Sequence, residues 1–230
     1  MRDLRWILCG WLLMPCGLWA QGQSRWADSL KVLNEQIAKS PWSTDLHLRK
    51  AAANLELSQW DYAIEEYNQV LQHESHNPAA LFYRAYANTH MRRYELSRRD
   101  YEELLGYVPR HMQARLSLAY VLQLMDRKQE AFDQLNQQVE MTPDSAVVYA
   151  ARASLEREML QYEAALYDWE QACRLAPQNA DYVASQADLL LMLNRRSETL
   201  RVLDAATARG INPARFNAYY MKCRKKKAGK

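Results

Sequence analysis

Small and large apolar residues recur along most of this chain with a fixed period of 34 residues. Alanine stands at five positions with this spacing: Ala51, Ala85, Ala119, Ala153 and Ala187. Twelve residues after each of them comes a second small residue, namely Ala63, Ser97, Ala131, Ala165 and Thr199. Four residues further comes a large apolar one, namely Tyr67, Tyr101, Leu135, Trp169 and Leu203. Side chains four residues apart share one face of a helix. Each unit is therefore predicted to be two antiparallel helices, A and B, which approach closest at the small residues.

Proline and asparagine mark the connections between these units. Four prolines are separated by multiples of 34 residues: Pro41, Pro109, Pro143 and Pro177. Asn77-Pro78 offers a capping side chain followed by proline at the first helical position, and Asn212-Pro213 repeats the motif near the end of the chain. Both motifs predict the start of a helix.

A 34-residue helix–turn–helix unit with Ala at the eighth and twentieth places, an aromatic residue at the twenty-fourth and Pro at the thirty-second resembles the tetratricopeptide repeat. The resemblance implies an all-α fold, a right-handed superhelical solenoid of antiparallel helix pairs with the A helices on its concave side. Five units are predicted, over residues 44–77, 78–111, 112–145, 146–179 and 180–213. Residues 21–43 are predicted to hold an orphan B helix that caps the N-terminal end, and residues 213–230 a C-terminal capping helix with a basic tail. Eight alanines are predicted to form the close helix crossings: Ala51, Ala63, Ala85, Ala119, Ala131, Ala153, Ala165 and Ala187.

The first twenty residues differ in kind from the repeats. A basic start at Arg2 and Arg5 precedes an apolar run that is too short to span a bilayer, and the small residue Ala20 stands before a polar segment. We expect residues 1–20 to be a signal peptide that is cleaved after Ala20. The protein is then exported, and the compact signal with its Ala-Gln junction favours the periplasm or cell envelope of a Gram-negative bacterium. Two alternatives stay open, an uncleaved anchor and a lipoprotein acylated at Cys16, although Pro15 fits a lipobox poorly.

The sequence offers little that could carry chemistry. It contains no Gly-rich phosphate loop, nucleophile elbow or zinc-spaced cysteine cluster, so we expect no catalytic residue, cofactor or metal site, and a protein that is not an enzyme. The nearest histidine pair, His73 and His76, is expected in a solvated turn. The adjacent Glu65 and Glu66 are expected on the outer face of a B helix. A net charge of +3 is too small to indicate nucleic-acid binding.

The concave face is predicted to be the working surface, on which a non-enzymatic scaffold holds a protein or peptide. The predicted groove residues are Arg49, Phe82, Tyr83, Tyr86, Tyr120, Gln123 and Arg157. Aromatic rings that share such a surface are suited to anchoring a peptide. We expect Tyr83 and Tyr86 to be exposed, whereas Phe82 suits the groove and the core equally well.

Other functions and partners stay open at this point. The chain could be a lipid-anchored envelope-assembly or substrate-delivery component, or a module that binds carbohydrate or a small molecule in its tyrosine-rich groove. The basic run from Lys222 to Lys230 is more consistent with a solvated helix end than with contact to an anionic membrane. The sequence does not specify the partner or the oligomeric state.

Overall fold

The computed structural model describes the backbone of residues 16–224 and the side chains of residues 24–224. Within this range every regular element is a helix. The α-helices are α1 (Cys16–Lys39), α2 (Thr44–Glu56), α3 (Trp60–His73), α4 (Pro78–His90), α5 (Tyr94–Tyr107), α6 (Met112–Leu124), α7 (Lys128–Met141), α8 (Ala146–Glu158), α9 (Tyr162–Leu175), α10 (Ala180–Met192), α11 (Arg196–Ala208) and α12 (Asn217–Arg224). A 3-10 turn, Pro213–Phe216, leads into α12. Among the described residues no helix is both long and apolar enough to cross a membrane.

The chain divides into two compact units, one up to Arg127 and the other from Lys128 onward. In the first unit each of α1 to α5 packs on the helix that follows it, α2 also contacts α4, and α4 contacts α6. In the second unit each of α7 to α11 packs on the helix that follows it, and α12 also contacts α10. The division falls between α6 and α7, inside the predicted repeat 112–145.

Helix starts follow the 34-residue period. We call α2, α4, α6, α8 and α10 the A helices, and α3, α5, α7, α9 and α11 the B helices. The side chain of Asn77 accepts a hydrogen bond from the Ala80 amide at 3.0 Å, and Pro78 occupies the first turn of α4, which confirms the predicted cap. Asn212 caps in the same way, but the element that it starts is a 3-10 turn and not an α-helix.

Every A helix ends in the same turn. The residue two places beyond the helix has a positive φ in each case: Ser58 (56°), Arg92 (59°), Asp126 (59°), Leu160 (63°) and Asn194 (61°). In the first turn the Gln59 amide donates to the Asn54 carbonyl at 2.8 Å and the Ser58 amide donates to the Leu55 carbonyl at 2.9 Å. This is the Schellman pattern, which satisfies the last carbonyls of a helix and usually has glycine at the left-handed position.

Small residues of both helix types are buried in the core among larger apolar side chains. All eight alanines of the predicted crossings are at most 1% exposed. In the first unit Ala51 of α2 and Ala63 of α3 share a buried cluster with Tyr67, which follows Ala63 by one helical turn. In the second unit Ala153 of α8 and Ala165 of α9 lie together in another cluster. A methyl group fills each place, so a longer side chain would overpack the contact.

The C-terminal segment covers the apolar end of the second unit. Phe216 is buried in one cluster with Ala187 and Leu203 of α10 and α11. The Tyr219 hydroxyl donates to Asp188 Oδ2 at 3.0 Å, which holds α12 against α10. The predicted capping segment is therefore a 3-10 turn followed by a short helix, and residues 225–230 of the basic tail lie outside the described residues.

The N-terminal helix starts earlier than the predicted orphan helix. Helix α1 runs from Cys16 to Lys39 and so passes through the predicted cleavage point after Ala20. Residues 1–15 and the side chain of Cys16 lie outside the described part of the chain. The signal peptide and the lipid anchor at Cys16 stay predictions.

Candidate functional site

The predicted aromatic groove centres on α4. Tyr83 is 45% exposed, as expected. Phe82 is half-buried and turns toward the core, where its ring lies edge-on to Tyr101 at 5.7 Å and stacks on His111 at 5.4 Å. Phe82 also meets the Tyr83 ring edge-on at 5.1 Å. Phe82 therefore lies between the core and Tyr83, and its packing holds the Tyr83 ring in place at the surface.

Tyr86 is less available than expected. It is half-buried, because its ring packs edge-on against His90 at 4.5 Å and lies 6.2 Å from Trp60. Trp60 and His90 stack face to face at 4.3 Å. His90 is partly exposed, but desolvation by the rings packed against it lowers its pKa, which favours the neutral form. The three rings pack against one another, and Tyr83 is the exposed tyrosine of α4.

A cavity of about 220 Å³ lies beside Tyr83. Its lining comes from three helices: Leu48, Ala52, Leu55 and Glu56 of α2, Tyr67 of α3, and Ala79 and Tyr83 of α4. The rings of Tyr67 and Tyr83 are nearly parallel, with centroids 6.3 Å apart. Burial, and then the neighbouring Tyr83, raise the pKa of Tyr67, so its hydroxyl stays protonated. The cavity lining is apolar except for Glu56 and the hydroxyls of the two tyrosines, and the cavity can accept one large apolar side chain.

The remaining predicted groove residues lie apart from this cavity. Tyr120 and Gln123 are half-buried on α6. Arg49 is exposed on α2, with Nη1 3.6 Å from Asp45 Oδ2. Arg157 is half-buried in the second unit.

The cavity lining also includes Leu55, Glu56, Tyr67 and Ala79, which were not predicted to line the groove. The signal that could have found Ala79 is its small size beside an exposed tyrosine, since a small residue next to a ring leaves space at the surface.

The expectation that Glu66 lies on a solvated face is wrong. Glu65 is exposed, but Glu66 is only 8% exposed. Its Oε2 lies 2.6 Å from His47 Nδ1, and its Oε1 accepts from Lys50 Nζ at 2.8 Å. Neighbouring residues on a helix point about 100° apart, so Glu65 faces solvent while Glu66 faces the A helix of the same pair.

Two other helix pairs place an arginine clamp at this position. Arg84 of α4 donates to both carboxylate oxygens of Asp100 on α5, at 2.9 and 2.6 Å, and to Asn68 Oδ1 on α3 at 2.8 Å. Arg152 of α8 makes the same bonds to Asp168 on α9, at 2.6 and 2.9 Å, and to the side-chain oxygen of residue 136 on α7, an asparagine, at 3.0 Å. Each clamp joins an A helix to its own B helix and to the B helix before it.

A second and larger cavity lies between α9 and α11, with a volume of about 770 Å³. Its floor includes Leu166 of α9, Leu190 of α10 and Val202 of α11. Charged side chains stand along both rims, among them Glu170 on α9 and Arg201 on α11. We call this cavity the α9–α11 cleft.

His73 and His76 pack against different aromatic rings. His73 meets Trp42 edge-on at 4.9 Å, whereas His76 lies on Tyr107 at 3.9 Å, with its Nδ1 3.7 Å from Glu103 Oε1. Over residues 24–224 no group of three or more His, Cys, Asp or Glu side chains is arranged to hold a metal ion.

No protein-family model matches the chain. It is 23% identical over 197 residues to a DnaJ homolog subfamily C member 7 homolog of Dictyostelium discoideum, a match that covers 84% of this chain and 32% of that protein. It is 33% identical over 82 residues to human peptidyl-prolyl cis-trans isomerase FKBP4, covering 36% of this chain and 18% of the isomerase. The chain thus spans about a third of the first of these relatives and less than a fifth of the second.

Similar solved structures are tetratricopeptide-repeat proteins and MamA. A tetratricopeptide-repeat protein from Parabacteroides merdae is 17% identical, with a TM-score of 0.63 over 88% of this chain and 79% of that one. YrrB, described as a tetratricopeptide-repeat protein with an unusual peptide-binding site, is 15% identical, with a TM-score of 0.60 over 83% and 95%. MamA from Desulfovibrio magneticus RS-1 is 18% identical, with a TM-score of 0.60 over 72% and 92%. These likenesses confirm the predicted fold class, an all-α tetratricopeptide-repeat solenoid.

Proposed function

We propose that this protein is a non-enzymatic scaffold that binds a peptide segment of a partner protein on the A-helix face of its first unit. The observation that carries the proposal is Tyr83, an exposed ring at the edge of an apolar cavity of about 220 Å³. One large apolar side chain of the peptide fills the cavity and packs on the ring, which removes both surfaces from water. A peptide-binding site in YrrB, which shares the fold, supports this function.

The test compares wild-type protein with Tyr83→Ala in crosslinking from cell-envelope extracts. The matched control is Tyr62→Ala, because Tyr62 is another exposed tyrosine of the first unit, 63% exposed, and does not line the cavity. We expect Tyr83→Ala to lose most of the crosslinked partner and Tyr62→Ala to retain it. Equal capture by the two variants would show that the chosen surface is wrong.

A second variant closes the cavity without removing the ring. Ala79 lines the cavity on α4, beside Tyr83. Ala79→Leu places a longer side chain in that space, so it should weaken capture of the same crosslinked protein. Capture at the wild-type level would argue that the cavity is not occupied by the partner.

We further propose that the protein is exported and works in the periplasm or cell envelope of a Gram-negative bacterium. The basic start, the short apolar run and Ala20 before a polar segment support this location. A fusion of residues 1–40 to alkaline phosphatase should be active, because that enzyme needs an oxidising compartment. Loss of residues 2–20 should abolish this activity, and an inactive fusion of the intact segment would contradict export.

A further inference from the structure

The last helix pair lacks the arginine clamp that two other pairs carry. One period of 34 residues beyond Arg152 stands Gln186, and one period beyond its partner Asp168 stands Val202. One period beyond the asparagine at position 136, the third member of that clamp, stands Glu170. All three replacements line the α9–α11 cleft. The cleft therefore occupies the place where a clamp arginine would join α9 to α11.

The cleft presents three turns of both B helices. Its α9 wall runs from Glu163 to Arg174, which at 1.5 Å per residue is about 16 Å. Ala205 of α11 stands where α9 has Gln171, one period earlier, so the α11 wall is low. The floor is apolar, and Gln186 uses its amide oxygen to accept a weak hydrogen bond from Cys173 Sγ at 3.8 Å.

The two walls differ in charge at mid-cleft. Glu170 on α9 is exposed, and within the described side chains no hydrogen-bond donor or cation pairs with it. On α11 the guanidinium of Arg201 is 3.9 Å from Glu198, and Arg209 stands at the far end of the same wall. Arg174 adds a cation to the α9 wall at that far end, where it donates to Gln171 at 2.7 Å.

One end of the cleft is closed by an ion-pair bridge. The Arg195 Nη1 donates to Glu163 Oε1 at 2.8 Å, and its Nη2 donates to Glu198 Oε2 at 2.6 Å. These two carboxylates are therefore already neutralised. Glu170 is left as the unpaired anion of the cleft, while Arg201 and Arg209 line the other wall.

We infer that the α9–α11 cleft is a second interaction surface, which takes an amphipathic helix of a partner protein. The helix lays its apolar stripe on Leu166, Leu190 and Val202, as in other helix-in-groove complexes. An arginine or lysine of the bound helix pairs with Glu170. The partner thus provides the cation that this chain lacks at Gln186, where the preceding pair has its clamp arginine. Acidic residues on the opposite flank of the helix face Arg201 and Arg209.

This surface lies on B helices of the second unit, whereas the proposed peptide surface lies on A helices of the first. The inference therefore does not depend on the Tyr83 cavity. Helix capture at the cleft and peptide capture at Tyr83 can each fail without the other.

The experiment titrates the full chain into two fluorescein-labelled, helix-forming peptides and follows their anisotropy at moderate salt. The first peptide carries leucines with helical spacing, a central arginine on one flank and glutamates on the other. The second has the same leucines with glutamate on both flanks. We expect saturable binding of the first peptide and at least about tenfold weaker binding of the second, because the second places a glutamate against Glu170 whichever way the helix runs. Absence of saturable binding, or equal affinity for both peptides, would overturn the inference.

Variants then locate the binding. Glu170→Gln should weaken binding of the first peptide about tenfold, the effect of losing one charge-assisted hydrogen bond. Glu102→Gln, at the same place in the second helix pair, should leave it unchanged. Tyr83→Ala should also leave it unchanged, which separates this surface from the proposed peptide site. If Glu170→Gln binds as tightly as wild type, the helix does not use the cleft as inferred.

The decisive variant installs the missing clamp. Gln186→Arg with Val202→Asp reproduces the Arg152–Asp168 pair in the last helix pair, which fills the cleft and should abolish binding of the first peptide. Circular dichroism reports whether this variant folds. If it does not, Ala205→Gln provides the second measurement, since it restores at an exposed position the side chain that α9 carries at Gln171. Undiminished binding by the folded variant would contradict the inference.

Discussion

Leu160 is held in a conformation that leucine rarely adopts. Its φ is 63°, and its side chain is 68% exposed, so burial offers no compensation. The turn is closed by the hydrogen bond from the Gln161 amide to the Glu156 carbonyl at 2.8 Å. Asn194 takes the same conformation in the next such turn of this unit, with φ 61°. Because leucine and asparagine adopt one geometry, the backbone bonds of the turn impose it and the side chain tolerates it.

Leu160→Gly should therefore raise the free energy of unfolding by about 0.5–1 kcal/mol, since the relief of left-handed strain exceeds the backbone entropy that glycine loses. Urea unfolding followed by far-UV circular dichroism measures the change. Asn194→Gly is the control and should gain less, because asparagine visits this region more readily than leucine. A loss of stability in Leu160→Gly would mean that the exposed leucine makes a contact that outweighs the strain.

Glu156 is a buried carboxyl group without a full set of partners. It is 4% exposed, and its Oε2 has no hydrogen-bond partner among the described residues. Burial, and then the charge of Asp168, raise the pKa of Glu156 from its ordinary 4.5 to about 7, against the opposing charge of Arg152. The folded chain therefore binds this proton more tightly than the unfolded chain. Between about pH 4.5 and 7 Glu156 is ionised in the unfolded chain and still protonated in the folded chain. The free energy of unfolding therefore falls as pH rises through this range.

Glu156→Gln removes this titration while keeping the shape of the side chain. At about pH 5 we expect the variant and wild type to be similar in stability. At about pH 8 the variant should be more stable by about 1–3 kcal/mol, because wild type then carries a buried charge. Urea unfolding at both pH values measures the difference. Glu158→Gln, at an exposed position of the same helix, should show no such pH dependence, and an equal difference at both pH values would exclude the shifted pKa.

At the scale of the elements, buried polar bonds join the helices in addition to apolar packing. Arg84 links α3, α4 and α5 through Asn68 and Asp100. Burial raises the pKa of Asp100, and the hydrogen bonds and charge of Arg84 lower it. Arg84 thus compensates for the burial of that carboxylate, and the two residues act as one structural group.

Arg84→Ala should lower the free energy of unfolding by about 3 kcal/mol, because it leaves Asp100 buried and unpaired. The double variant Arg84→Met with Asp100→Leu should recover most of this loss, since apolar side chains of similar size need no partner. Urea unfolding of the single and double variants measures the coupling. Lys31→Ala, which breaks a solvent-exposed ion pair to Asp28 in the same unit, should change stability by less than about 1 kcal/mol. A single Arg84 variant no worse than Lys31→Ala would show that the clamp is not stabilising.

At the scale of the whole molecule, each unit has a buried core of its own. Ala51, Ala63 and Tyr67 belong to the core of the first unit, and Ala187, Leu203 and Phe216 to a core of the second. Repeat folds distribute their stability in this way because each helix pair packs mainly on its neighbours. Each unit also contains one of the two proposed surfaces, so a variant at either surface can be tested without altering the other.

The amino-acid sequence by itself determined the helix pairs, their period and the proline-marked start of α4. These features are local, because the spacing of small, large and capping residues acts within one helix or between adjacent helices. The tertiary structure decided the burial of the charged and aromatic side chains that lie outside this repeated pattern. Glu66, expected in solvent, meets His47 and Lys50 from another helix, and Tyr86 packs on Trp60.

The α9–α11 cleft is another feature that only the tertiary structure revealed. Gln186 and Val202 are ordinary residues in their own helices, and only their packing shows that a clamp is absent and a cleft stands in its place. The sequence predicted the helices and not the cleft because the helix period depends on residue spacing within each segment. Side-chain burial depends also on segments that are distant in the sequence.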